Sequence, residues 1–532
     1  MKLKQIVLIG TSFAVCGISN VFGASNPAAH YCEVLGYEYS VEIDAEGNEV
    51  GLCTLPDGSK VDAWDFYRGK VKPEFSYCSK YGYKSENRQI ETEGYTVECQ
   101  YCVKANALRS GSEGIPVDQL MEQNGDIDNS DQSDADFAQL VESEVESASL
   151  RAGVTLPTSF DMRNYNGKNY VNPVRNQQSC GACYAFATAA CSEVAYNRAT
   201  GSFDGNRKKF SESFIMWCNT GRGCGGGNTG AAVGTVTTQG ICELSYFPFT
   251  TTEPSSCSAH MSDPFAAFNS YQRIACKDIT AIKTAIYKYG AVVARVHATS
   301  AFHNYTSGIF TNSENACSGP FGHAVVLVGW GTDATKGDYW IMRNSWGTSY
   351  GENGYMRISV AASNVSSEVY CLIPNPVYYE ANNVSEKCNI PADGNVVFIG
   401  HNTLKLKTGF STKKGCVFRA KRQAATIRKS LDNSSFGGSI DGMDINEEVS
   451  ESQDVEAQTI YPNPNDGEFS VLFAAEDVEY NVVVTDFTGK VVYTATGFGR
   501  EHIVKMKDIV SGVYFVRVNI GDKSYTEKVI IK

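Results

Sequence analysis

Cys183 stands where a loop rich in Gly, Ser and Gln gives way to an Ala-rich run. The segment reads Gln177-Gln178-Ser179-Cys180-Gly181-Ala182-Cys183-Tyr184-Ala185-Phe186. A thiol is mostly protonated at neutral pH, and only the thiolate attacks a carbonyl well. The start of a helix stabilises negative charge, because backbone N–H groups and the helix dipole point at it. A neighbouring imidazole can take the proton and later protonate a leaving amine. His323, in Gly322-His323-Ala324-Val325, is the expected imidazole. A third group must fix the ring, and Asn344, in Arg343-Asn344-Ser345-Trp346-Gly347, suits that task, with Trp346 shielding the contact from water. The developing oxyanion needs donors, and the Gln177 amide and the Cys183 backbone N–H fit. Alone, such a cysteine is more often structural, and such a histidine more often an ordinary half-buried one. The order and context of all four groups reverse that reading. Together they predict attack of a thiolate on a carbonyl carbon.

The stretch Cys180-Gly181-Ala182-Cys183-Tyr184, with a His and an Asn downstream, resembles the papain family of cysteine peptidases. Leu156-Pro157 with Phe160-Asp161-Met162-Arg163 is similar to the family's mature N-terminus. Phe210-Ser211-Glu212-Ser213 is similar to a family helix start, with Ser211 a natural N-cap. Cys218, Gly223-Cys224-Gly225-Gly226-Gly227 and Gly351-Glu352-Asn353-Gly354-Tyr355 match further motifs. The resemblance covers residues 156–375. It implies a two-lobed α+β catalytic domain, with a helical lobe and a β-barrel-like lobe. It implies the cystines Cys180–Cys224, Cys218–Cys257 and Cys317–Cys371. It also implies that Gly226 and Gly227 bind substrate backbone, since Gly permits close approach. Asn228 is expected to make the next pocket more polar than usual. Gly322, Ala324 and Trp346 are expected to border the substrate.

These groups need a helix and a set of strands to hold them. Residues 183–197 read as a helix. Residues 291–296 and 324–328 are β-branched runs bounded by Gly, hence strands. An early helical half and a late β half make an α+β pattern. The chain has 532 residues, enough for several domains. Residues 1–23 read as a signal peptide: Lys2 and Lys4, an apolar run too short to span a bilayer, then small residues. Cys16 fits a lipoprotein site poorly, since Val15 precedes it. Residues 24–155 are expected to form a propeptide region with an acidic linker, cut near Arg151. It holds two diverged Cys-rich repeats, Cys32 to Cys53 and Cys78 to Cys99, which leaves Cys102 odd. Part of it resembles a short domain found in bacterial haemolysins.

The peptidase domain is expected over 156–376. A small β module follows over 377–429, with a Cys388–Cys416 bridge, then an acidic linker over 430–457. Residues 458–532 alternate apolar and polar residues and predict a β-sandwich. Ile460-Tyr461-Pro462-Asn463-Pro464 and the closing strands resemble the C-terminal sorting domain of type IX secretion. An adhesion module is the alternative.

The 18 cysteines suit an oxidising compartment, and no spacing fits a zinc site. No metal or cofactor is expected. The net charge of −13 and the lack of a dense basic run exclude nucleic acid as the main partner. The expected partners are peptide or protein substrates and the type IX machinery, with no transmembrane segment. A catalytically silent surface-binding protein is the second reading, opposed by the intact Cys, His, Asn and Gln. An exopeptidase of the same fold is the third, opposed by the lack of an insertion carrying paired His residues.

Overall fold

The computed structural model describes residues 25–92, 94–104, 114–126, 154–260, 263–317, 321–408, 410–422, 459–461, 467–472, 479–486, 490–499, 501–506, 509–510, 512–520 and 523–531. The chain forms two compact units, Met1–Phe436 and Gly437–Lys532. The signal-peptide expectation and both acidic linkers fall largely outside the described residues.

In the first unit, Cys183–Thr200 is a helix with every residue buried. Its Ala content lets strands and helices approach on all sides, as expected of a helix that runs through a core. A long sheet packs against it. In order, it runs from Val417–Arg422 through Asn395–Leu406, Val369–Glu386, Val292–Val296 and His323–Asp333. It continues through Gly337–Arg343, Tyr355–Ser359, Tyr305–Phe310 and Tyr95–Lys104 to Tyr83–Glu91. The fold is α+β, and helices and sheet share one apolar core.

Two features of this sheet depart from the sequence expectations. The Val369–Glu386 strand runs on past residue 376, so the module expected at 377 extends the peptidase sheet instead of forming a separate body. At the other edge, Tyr95–Lys104 from the N-terminal region pairs antiparallel with Tyr305–Phe310.

Cys180–Cys224 and Cys218–Cys257 are bonded. Cys317 bonds Cys276, not Cys371. Cys371 lies within a central strand opposite Gln272, fully buried as a thiol and facing Cys191 across the core. Cys388 and Cys416 also remain thiols. Cys388 points into the core, while Cys416 sits half-buried in the turn before Val417–Arg422. In the N-terminal region Cys32 bonds Cys53, but Cys78 bonds Cys102 instead of Cys99. Alternation explains this. Three positions apart on one strand, Cys99 and Cys102 face opposite sides, and only Cys102 faces the core that holds Cys78.

The second unit has a three-stranded and a four-stranded sheet. Phe469, Val471 and Val504 from one meet Val482, Val484, Val516 and Val518 from the other in a single core. No helix among the described residues is long and apolar enough to cross a membrane.

Candidate active site

Cys183 is the first residue of the central helix and is 6% exposed. Its thiol is outside every cystine of the structure. The neighbouring Cys180–Cys224 bond ties the preceding loop to the Gly-rich segment, which fixes the chain just before the helix. Gln177 is buried in that loop. Its Nε2 donates to the Cys180 carbonyl at 2.8 Å, and its Oε1 accepts from the Ser345 hydroxyl at 2.6 Å.

His323 opens the His323–Asp333 strand. Its Nε2 lies 2.8 Å from Asn344 Oδ1, which also accepts the Ser345 amide at 2.8 Å. An amide oxygen only accepts, so the proton sits on Nε2 and the neutral ring keeps a lone pair on Nδ1. That Nδ1 is buried. The Trp346 indole stacks on the imidazole with centroids 4.5 Å apart and planes at 22°. Burial pushes the His323 pKa down to about 3. The Asn344 hydrogen bond works against that shift, and His303 adds to it. The imidazole is therefore neutral in this structure.

Gly227 lies against the Tyr184 ring, where a Cβ would stand 2.8 Å from a ring carbon. Only glycine fits that approach. Gly226 precedes it, half-buried. Asn228 caps the Thr229–Thr238 helix, its side chain accepting from Ala231 N at 2.8 Å. The expected polar wall is thus engaged in a helix cap. Gly322 is exposed and open around its Cα, and Ala324 is buried beside His323. Trp346 is fully buried, so it does not face substrate in this structure as the sequence suggested.

Groups that sequence reasoning passed over stand around this core. His303 lies edge-on to Trp346 at 5.6 Å, and burial lowers its pKa while Asp118 opposes. Behind the site is a small cavity lined by Arg175, Glu193, Glu212, Ala324, Asn344 and Ser345. Arg175 contacts Glu49 at 2.7 Å and Glu212 at 3.4 Å. Burial pushes Glu212 up to about 7, against the pull of Arg175. Glu212 appears in the sequence as part of a helix-start motif, with nothing there to show the charge it would meet. Trp64 and Asn26 reach the site from the N-terminal region, as described below.

Residues 156–380 match the papain family cysteine protease model. Residues 23–70 match a domain of unknown function, and 459–532 match the secretion system C-terminal sorting domain. Similar curated proteins include fruit bromelain of Ananas comosus, 30% identical over 40% of this chain and 57% of that protein. Cysteine proteinase COT44 of Brassica napus is 33% identical over 43% of this chain and 68% of its own. Zingipain-2 of Zingiber officinale is 34% identical over 38% and 87%. The chain spans 57% and 44% of the lengths of fruit bromelain and of a probable cysteine protease of Arabidopsis thaliana. The solved bromelain protease of Ananas comosus in complex with the E64 inhibitor aligns with a TM-score of 0.37 at 28% identity. That alignment spans 41% of this chain and 99% of the other. On the identity and coverage of these relatives, the chain belongs to the papain family of cysteine proteases.

Proposed function

We propose that this protein is a secreted cysteine endopeptidase acting through Cys183 and His323. The observation that carries it is the His323–Asn344 hydrogen bond at 2.8 Å, in a site whose nucleophile opens a buried helix. Nδ1 of the neutral imidazole takes the proton of Cys183. The thiolate attacks the scissile carbonyl carbon and forms a tetrahedral oxyanion held by Gln177 Nε2 and the Cys183 N–H. The C–N bond breaks as the imidazolium protonates the leaving amine. Water, deprotonated by His323, then attacks the thioester, and the carboxylic acid and thiol are released. Gly226 and Gly227 bind the acyl-side backbone, with Asn228, Gly322 and Ala324 bordering it. Residues 1–23 direct export, and the C-terminal domain carries the protein across the outer membrane to secretion or surface attachment. Processing falls in the acidic linker near residue 151.

The test is covalent labelling. A thiol-alkylating peptide epoxide is expected to modify Cys183, located by mass spectrometry, and to fail with His323→Ala. Label on another cysteine, or label independent of His323, rejects the mechanism.

A further inference from the structure

The N-terminal module, residues 25–126, has its own two cystines, Cys32–Cys53 and Cys78–Cys102, neither of which ties it to the peptidase domain. It is seated by other means. Its Tyr95–Lys104 strand continues the peptidase sheet through Val97, Thr96 and Tyr95 against Tyr305, Ser307 and Gly308. Buried Arg68 donates to the Ser349 and Tyr305 carbonyls at 3.1 and 3.4 Å. Glu49 pairs with the buried Arg175. Its carbonyl also comes so close to Gly347 that a Cβ there would stand 2.8 Å from it.

Further contacts converge on one loop, the one that carries Asn344 and Trp346. The Trp64 indole N–H donates to the Trp346 carbonyl at 3.0 Å, and the Asn26 amide donates to the same oxygen at 3.3 Å. The Trp64 ring packs on Trp346 and Tyr350, with centroids 6.1 and 5.3 Å away. Trp346 in turn stacks on His323. A chain of two ring contacts and one hydrogen bond therefore links the module to the catalytic imidazole.

We propose that the N-terminal module is a retained part of the enzyme, which positions His323 through the Trp64–Trp346 contact. This rests on the peptidase reading above. The module buries aromatic and charged groups under the loop that carries Asn344 and Trp346, it also bonds the Gln178 carbonyl and the Ser179 hydroxyl before the nucleophile, and its departure would strip Trp346, Tyr350 and Arg175 of part of their cover. Cutting the linker separates the two pieces covalently but leaves them together. Trp64 is a positioning residue, since it acts through Trp346 and touches no reacting atom.

The experiment uses the full chain with a specific protease site placed in the acidic linker. After cutting, the two pieces are expected to co-elute in size exclusion, with kcat/KM on a small peptidyl-amide reporter unchanged within about twofold. Separate elution with a rise in activity would identify a removable inhibitor and overturn the proposal. Trp64→Ala should lower kcat, and the rate of Cys183 alkylation by iodoacetamide, by about tenfold with little change in KM. Trp64→Phe, which keeps the ring but not the N–H, should recover part of that loss. Leu55→Ala, buried within the module, should lower its melting temperature and leave the alkylation rate alone. An inert Cys183 in the wild type sinks the peptidase reading. A reactive Cys183 indifferent to Trp64 sinks this one.

Discussion

Trp64 in the N-terminal module and Val482 in the C-terminal unit are both buried, but by different neighbours. Val482 is enclosed by Val484, Val516, Val518 and Phe469 of its own two sheets. Trp64 is enclosed by Trp346 and Tyr350 of the peptidase domain as well as by Tyr67 of its own helix. Both regions hold only about a hundred residues or fewer, a size at which a core is hard to complete. The C-terminal unit solves this by facing two sheets onto each other. The N-terminal module adds two cystines and borrows apolar surface from its neighbour. A region that borrows its core is expected to fold and fail with the body that lends it.

The strongest way to break this comparison is deletion. Removing residues 25–126 should lower the melting temperature of the peptidase domain by roughly 10 °C or more, because the Trp346 loop and the Tyr305–Phe310 edge lose their cover. Removing 459–532 should leave that transition in place. Scanning calorimetry of both truncations decides, and equal effects would put the two regions in one class.

Asp118 gives the next largest effect. Its buried carboxylate accepts from Ser300 at 2.6 Å, from Asn304 at 3.0 Å and from the Tyr67 hydroxyl, so it joins the module to the peptidase. Asp118→Ala strands three donors and should cost about 3 kcal/mol in urea unfolding of the first unit. Val482→Ala should cost about 2 kcal/mol through the cavity it leaves, and only in the transition of the C-terminal unit. If Val482→Ala also moved the first unit's transition, the independence of the second core would be wrong.

Cys183, His323 and Asn344, the groups proposed for catalysis, were legible in the sequence through motifs similar to those of the papain family, which fix residue type and local context together. A thiol at a helix start, an imidazole opening a strand and an amide beside Trp346 each leave a mark in the letters. The contacts that seat the module do not. Trp64 and Asn26 bind a backbone carbonyl, which any residue possesses, so nothing at position 346 announces the partner. Cystine choice failed for a related reason. Cys102 lies 24 residues after Cys78 while Cys99 has the 21-residue spacing of Cys32–Cys53, so spacing favours Cys99 until strand alternation turns it away, and Cys371 is hidden by its register opposite Gln272. The break expected at residue 377 was also illegible, because the Val369–Glu386 strand passes through two prolines, Pro374 and Pro376, that read as an end.

The smallest effect tests the charge that the module alone contributes to the peptidase interior. Glu49 and Glu212 share Arg175, and the Glu49 charge helps hold the Glu212 pKa up near 7, although burial is the main cause. In the folded protein Glu212 keeps its proton between pH 4.5 and about 7, where the unfolded chain has already lost it. Its contribution to stability is therefore full below pH 4.5 and is lost as pH rises through 7. Relative to wild type, Glu212→Gln should gain about 1.4 kcal/mol per pH unit across that window and level off above it. Glu49→Gln in the wild-type background should lower the Glu212 pKa and narrow the window from its upper end. Urea titrations from pH 4 to 8 measure both. A Glu212→Gln curve parallel to wild type would show that the carboxyl is already ionised throughout. A window unmoved by Glu49→Gln would mean that the module's carboxylate lies outside the cluster.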